Sequence, residues 1–390
     1  MTEPDDRPRI VIIGAGATGR GQIGQVAHDA GFAITFIERK PDLVECLKRA
    51  GSYVVGLAGE TVRDIVVAGF GTLPKDDFEA CAEAIAVADI VATAVLPTNL
   101  ESTTRNLADG IALRQRLNVA SPLNVIACEN MERSSSTLRE HLRRSTPELD
   151  WDWVEAHIGF PDSMVARAVP VPRDPLFLLA EADQEWTVDA RAVKQPMPRL
   201  EGMTLCPNQE AALERKLYIK NTGHFSIGLA GFRKAYRLMD EATRDKDVFT
   251  LVDAATKESA AAVAEKHGLD REETESYRAG FLRQMTSPFL PDEISRVIRE
   301  PIRKLGREER LIGPAMLACD QGRLPMALAV LIAAALSIDN PSEPQAVELR
   351  NMAAMDGVGP TLERVSQVPR GHELSSLVAE AYEDMGGRST

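Results

Sequence analysis

The chain has 390 residues, 44% of them hydrophobic and 26% charged, with a net charge of −13. That length is too great for one ordinary core and predicts two domains. The negative balance excludes a general nucleic-acid binder, because a phosphate backbone would be repelled. A small anionic substrate is not excluded, since a few local cations decide that. Five cysteines, an odd number without CxxC spacing, argue against a disulfide framework and for the reducing cytoplasm. Six histidines include no HExxH and no close pair, so no metal site is expected. The N-terminal "MTEPDDRPR" is charged and does not read as a signal peptide. The apolar run "PMALAVLIAAALSI", residues 325–338, is too short to span a bilayer and predicts a buried helix, so no membrane partner is expected.

The first predicted element is Ile10–Ile13, a β-branched run suited to a central parallel strand covered on both faces. Gly14, Gly16 and Gly19 follow in GxGxxG spacing, with Ala17 and Thr18 between them. Gly14 suits the tight turn, Gly16 the approach of backbone to a pyrophosphate, and Gly19 the packing of helix on strand. The helix that opens there points free N–H groups at phosphate. A second strand, "AITFIE", ends at Glu38, roughly the distance at which an acid meets the adenosine ribose. A carboxylate there favours NAD over NADP by repelling a 2′-phosphate. Arg39 and Lys40 oppose it, since either suits that phosphate.

Helix "PDLVECLKRAG", strands around "SYVVGL" and "VRDIVVAGFGTL", helix "DDFEACAEAIAVA", strand "DIVATAVLP", a helix near 101–116 and strand "LNVIACEN" continue the alternation. Strands separated by helices predict an α/β, doubly wound Rossmann-type sheet. Ligands of such sheets lie at the carboxyl ends of strands, so Thr93, Ala94, Val95 and Asn130 are expected to line the cofactor crevice. "WDWVEAHIGF", "VARAVPV", "LFLLAEA" and "EWTVDARAV" read as strands that extend the sheet towards residue 195. Cys128 and His157 read as packing residues rather than chemistry, and Met131 as a space-filler.

From about residue 207 helical windows dominate, predicting a mostly α-helical second domain. The expected division is residues 1–195 for the dinucleotide and 196–390 for substrate and catalysis, with "VKQPMPRLEGMTLCP" as the boundary. Within "KLYIKNTGH", at about 100° per residue, Lys216, Asn221 and His224 fall within an arc of roughly 140°. A lysine in a dry pocket acts as a base near neutral pH. A carboxamide donates to an oxygen gaining negative charge, and an imidazole orients a hydroxyl. Spacing alone serves equally a solvated lysine and a kink at Asn221-Thr222-Gly223.

"KLYIKNTGH" resembles the Lys-x4-Asn-x2-His signature of the polyol-specific long-chain dehydrogenases, the mannitol dehydrogenase family. "GAGATGRGQIG", "TAVLP", "ACENM", "IGFPDSMVARAVP", "EWTVD", "REPIRKL" and "RLIGPAMLA" are similar to that family too, in particular to its mannitol-1-phosphate 5-dehydrogenases. The resemblance implies a metal-independent, NAD-linked oxidation of a polyol or its phosphate, with mannitol 1-phosphate and fructose 6-phosphate as the first expectation. It implies Lys216 as general base, Asn221 and Asn130 on the reacting oxygen, and His224 on a substrate hydroxyl. It puts "SRVIREPIRKL" near the substrate, where two or three of Arg296, Arg299, Arg303 and Lys304, with Arg299, Arg303 and Lys304 first, would clamp a phosphate. The opposing reading is a solvated basic face paired with Glu300, Glu308 and Glu309. Departures such as "VIREP" for "VGRDP" leave the sugar open. The alternatives are a free polyol, a sugar acid of the mannonate or altronate type, and a dinucleotide-sensing module without turnover. A monomer or small homo-oligomer is expected.

Overall fold

The computed structural model describes residues 6–59, 61–286 and 292–386, so part of the charged N-terminal stretch lies outside the described residues. The chain divides into two compact units, Met1–Ala212 and Leu213–Thr390.

The first unit opens with β1 (Arg9–Ile13), a wide turn at Gly19–Gly24, α1 (Gln25–Asp29), β2 (Ala33–Glu38) and α2 (Pro41–Ala50). Next come β3 (Ser52–Ala58), β4 (Val62–Ala68), β5 (Gly71–Pro74), α3 (Phe78–Ala86), β6 (Ile90–Thr93), α4 (Thr104–Arg116) and β7 (Leu123–Ala127). The unit continues with α5 (Ser134–Ser145), α6 (Trp151–His157), β8 (Ile158–Gly159), β9 (Ser163–Ala166), β10 (Phe177–Glu181), β11 (Glu185–Asp189) and β12 (Thr204–Cys206). Six strands form a parallel sheet in the order β5-β2-β1-β6-β7-β8. The order reverses between β1 and β6, and that switch point is where such sheets take ligands. Burial on both faces is visible within β1. Ile10 and Ile12 join a core with Phe36, Tyr53 and Trp186, while Val11 and Ile13 join another with Val91, Leu107 and Val125.

Two expectations are corrected. "WDWVEAH" is a helix: the Asp150 carboxylate accepts from the Trp153 N–H at 3.1 Å and caps α6, overriding the strand preference of its tryptophans. The later strands do not extend the main sheet. β10 pairs with the β3–β4 hairpin, and β9, β11 and β12 form a third small sheet. The partner of β10 is distant in sequence, so its own residues do not announce the pairing.

The second unit is helical, and α7 (Gln209–Arg215) leads into it. A wide turn at Lys216–Asn221 joins α7 to α8 (Thr222–Arg233), followed by α9 (Met239–Thr243), α10 (Lys246–His267) and α11 (Arg271–Met285). Then come α12 (Ile294–Val297), α13 (Pro301–Lys304), α14 (Ile312–Asp320), α15 (Met326–Leu336), α16 (Pro344–Asp356), α17 (Val358–Ser366) and α18 (Glu373–Asp384). One core gathers Phe225, Ile227, Val252, Leu331 and Leu362. The apolar run at 325–338 is buried within it as α15. "DEISRVIREPIRKLG" is two short helices rather than one, since Pro301 cannot continue a helix and Glu300 turns left-handed at φ 54°. Among the described residues no helix is long and apolar enough to cross a membrane.

Candidate active site

The glycine turn follows β1 as a set of close approaches. A Cβ on Gly14, at φ 103°, would lie 2.5 Å from the Ala94 carbonyl oxygen. One on Gly19 would lie 1.9 Å from the Gly14 oxygen, so no larger residue fits either place. The face of Gly16 is open, with no atom within 4 Å of where a Cβ would stand. The helix that follows starts as a π turn, in which the Gln25 N–H reaches back five residues to the Arg20 carbonyl. Arg20 is buried and points inward: its Nε donates to the Ala15 carbonyl at 2.6 Å and a terminal nitrogen donates to that of Pro175.

Glu38 ends β2 inside this turn. One carboxylate oxygen accepts from the Ala15 N–H at 2.8 Å, and the other from the N–H groups of Arg39 and Lys40 at 2.9 Å. The Arg39 and Lys40 side chains are exposed. The oxygen bonded to Ala15 alone keeps acceptor capacity beyond these bonds, so an acid fixed against the phosphate loop fits a dinucleotide ribose.

Across the switch point, Thr93 ends β6 and Glu129 follows β7. The buried Glu129 carboxylate accepts from the Thr93 hydroxyl at 2.9 Å and from the Val95 N–H at 3.0 Å. Burial pushes this carboxyl above the ordinary range, and those two donors hold it back. Asn130 is exposed in the bend that follows. Val95 is also fixed through its carbonyl, which accepts from Asn99 Nδ2 at 2.8 Å. The next residue, Leu96, is held at φ 77°, ψ 148°, a region nearly reserved for glycine, and is 68% exposed. Such a torsion costs on the order of 1–3 kcal/mol. Burial also pushes the neighbouring Cys128 thiol well up, leaving it unreactive.

In the second unit, Lys216 to Asn221 forms another π turn, closed by the Thr222 N–H donating to the Leu217 carbonyl five residues back. In such a turn residues i and i+5 share a face. Arg215 and Lys220 demonstrate it, their charged ends lying 4.4 and 4.7 Å from the centre of the Tyr277 ring. Lys216 and Asn221 are the next such pair, and His224 follows Asn221 at helical i+3 spacing. The wide turn thus gathers the three side chains into a narrower arc than a regular helix allows. All three are half-buried. Buried Thr222 braces the turn, its hydroxyl directed at the carbonyls of Leu217 and Arg310.

His224 Nε2 lies 3.1 Å from Asp292 Oδ2, and Arg296 holds that carboxylate through two nitrogens. Burial alone would raise the Asp292 carboxyl, but the bonds from His224 and Arg296 prevail and bring it to about 2. The other cations are divided. Arg299 is exposed. Arg303 pairs with Glu300 at 2.9 Å and Glu309 at 3.3 Å. Lys304 is buried, its ammonium donating to the Val297 carbonyl at 2.7 Å. Burial, aided by Arg310 and Arg303, lowers its amine to about 8. Among the described residues no three histidine, cysteine or acidic side chains come together in a way that could hold a metal ion.

The comparisons agree with this division. Residues 8–202 match a family model described as the mannitol dehydrogenase Rossmann domain, and residues 210–386 its C-terminal domain. The chain belongs to the mannitol dehydrogenase family. It is accordingly an oxidoreductase of the polyol dehydrogenase kind. A mannitol-1-phosphate 5-dehydrogenase of Brevibacillus brevis is 38% identical over 373 residues, covering 95% of this chain and 96% of that protein. Two solved structures share the fold at 17% identity. Pseudomonas fluorescens mannitol 2-dehydrogenase, in ternary complex with NAD and D-mannitol, has a TM-score of 0.70 over 98% of this chain and 92% of its own. A substrate-free D-sorbitol dehydrogenase has a TM-score of 0.81 over 97% and 93%.

For this member of the mannitol dehydrogenase family, the sequence reading passed over three features of the site. Glu129 stood in the quoted "ACEN", and an acid directly after an apolar strand was the signal. Asp292 lies 68 residues from His224, and no local pattern joins them. The π turn is braced by Thr222 meeting Arg310, a contact 88 residues apart.

Proposed function

We propose that the first unit takes NAD and that the second takes a polyol phosphate, interconverted with a ketose phosphate. Mannitol 1-phosphate and fructose 6-phosphate are the leading pair. The observation that carries this reading is the near full-length likeness to a mannitol-1-phosphate 5-dehydrogenase in a chain whose π turn gathers Lys216, Asn221 and His224. The glycine turn, with the open face at Gly16 and the fixed acid Glu38, supports NAD as the dinucleotide.

Bound NAD supplies the hydride acceptor. Lys216, as its free amine, takes the proton of the reacting hydroxyl, so that the carbinol carbon becomes a carbonyl as its hydrogen leaves with two electrons. Asn221 and Asn130 donate hydrogen bonds to that oxygen as negative charge builds on it. His224 holds a further hydroxyl and so fixes which carbon reacts. Arg299 and Arg303 meet the phosphate, and Lys304 adds positive potential from beneath. In reduction Lys216 returns the proton to the alkoxide oxygen.

The experiment compares mannitol 1-phosphate, mannitol and mannonate with NAD and with NADP, following absorbance of the reduced cofactor. The expected result is the largest kcat/KM for the phosphate ester with NAD, and a raised KM for that ester in Arg299→Ala and Arg303→Ala. An ester with no advantage, or two variants with unchanged KM, overturns the phosphate reading. A preference for NADP assigns the choice to Arg39 rather than Glu38.

A further inference from the structure

Asp292 is held at both its main chain and its side chain. Its carbonyl accepts from the Met239 N–H at 2.9 Å, and the next residue, Glu293, forms a bridge with Leu238. Its side chain is 22% exposed and that of His224 31%. Arg296 Nε donates to Oδ1 at 2.7 Å and its terminal nitrogen to Oδ2. The Asp292 carboxylate is ionised across the neutral range, for the reasons given above.

An ionised carboxylate only accepts hydrogen bonds. The imidazole nitrogen that faces it must therefore carry a hydrogen. In the neutral ring the other nitrogen is then the one with the lone pair.

We infer that Asp292, braced by Arg296, is a positioning residue that holds His224 in the Nε2–H tautomer and leaves Nδ1 to accept a hydrogen bond from a polyol hydroxyl. The inference rests on the proposed role of His224 and adds the group that sets its polarity. A hydroxyl of the polyol donates to Nδ1, Nε2–H donates to Asp292, and Arg296 balances the carboxylate's charge. No proton changes owner along this chain; its effect is orientation. It also commits the Arg296 guanidinium to Asp292. Asp292→Asn would keep the volume but offer an amide N–H to Nε2, which admits the opposite tautomer.

The test uses the full-length chain with 15N-labelled histidine, and His224→Asn identifies the ring signal by its loss. The expected wild-type signal is the Nε2–H tautomer, with the Nδ1–H share rising in Asp292→Asn. Asp292→Asn should lower kcat/KM for the polyol about ten- to a hundredfold, the range seen for outer partners of ligating histidines, with NADH affinity unchanged. In a His224→Asn background the same change should cost little more. A wild-type ring in the Nδ1–H form overturns the inference, and so does an equal loss with and without His224. A wild-type chain that turns over no polyol overturns the proposed function instead, while the ring signal still decides the tautomer.

Discussion

The π turn at Gly19–Gly24 and the π turn at Lys216–Asn221 share a hydrogen-bond pattern and present opposite things. In the first, every residue is buried. Gly21 lies against Val169 and Leu178, Gly24 lies against Tyr53 and Phe36, and the one charged side chain, Arg20, turns inward to hold the loop. The face left open to a ligand is main chain just ahead of the turn, at Gly16. In the second, Lys216 and Asn221 keep half-exposed side chains, and Tyr218 and Ile219 pack the turn onto Ala260 and Val263 of α10. The difference follows the proposed ligands. A pyrophosphate needs N–H groups that come close, and any side chain is an obstacle. An alcohol that must lose a proton needs an amine, and only a side chain supplies one.

Breaking the second turn should have the larger effect on chemistry. Lys216→Ala should lower kcat by about 10²- to 10⁴-fold, while NADH binding, read by fluorescence titration, stays unchanged. Gly16→Val should do the reverse. The open face accepts the side chain, so Tm holds, yet NADH affinity should fall about tenfold or more because the phosphate approach is blocked. Loss of NADH binding in the lysine variant, or of saturated turnover in the glycine variant, would erase the division between the turns. Thr222→Val sharpens it further. It leaves the Arg310 carbonyl without its hydroxyl donor and should cost about 1–3 kcal/mol in a denaturant melt. Part of that loss should appear in kcat, since the turn spaces Lys216 from Asn221.

The last effect concerns Lys304 and reaches stability alone. Its folded amine, at about 8, sheds its proton before the unfolded chain does. The unfolded state therefore binds more protons from about pH 8 up to the ordinary lysine range, and stability rises with pH across that window. Tm measured from pH 7 to 10 should show this slope in the wild type, and Lys304→Met should flatten it.

These two turns also mark how far the sequence could be read. β1, the glycine spacing and β2 each answer a local backbone demand, so the doubly wound sheet and the helical second unit were legible. The placement of β9, β10 and β11 was not, because strands choose partners by what lies across from them. The α6 segment misled because Trp151, Trp153 and Val154 suit a strand, and one capping aspartate outweighed them. The spacing of Lys216, Asn221 and His224 was read at the wrong pitch, since nothing within nine residues reveals an i→i+5 turn. Asp292 was read only within a helical window, and Arg296 only as a cation for a phosphate. Their attachment to His224 is a product of folding, as is the break at Glu300 that separates Arg296 from Arg303 and Lys304.

Leu96 carries a cost that heating would expose. The chain holds a leucine where a glycine would sit without tension, beside the strand end expected to meet the cofactor. A laboratory selection that rewarded heat resistance and ignored turnover should replace Leu96 with glycine early. A selection for growth on a polyol should keep the leucine if its side chain serves the dinucleotide. The two regimes would part at this one codon, and the direction of drift there would report what the torsion is for.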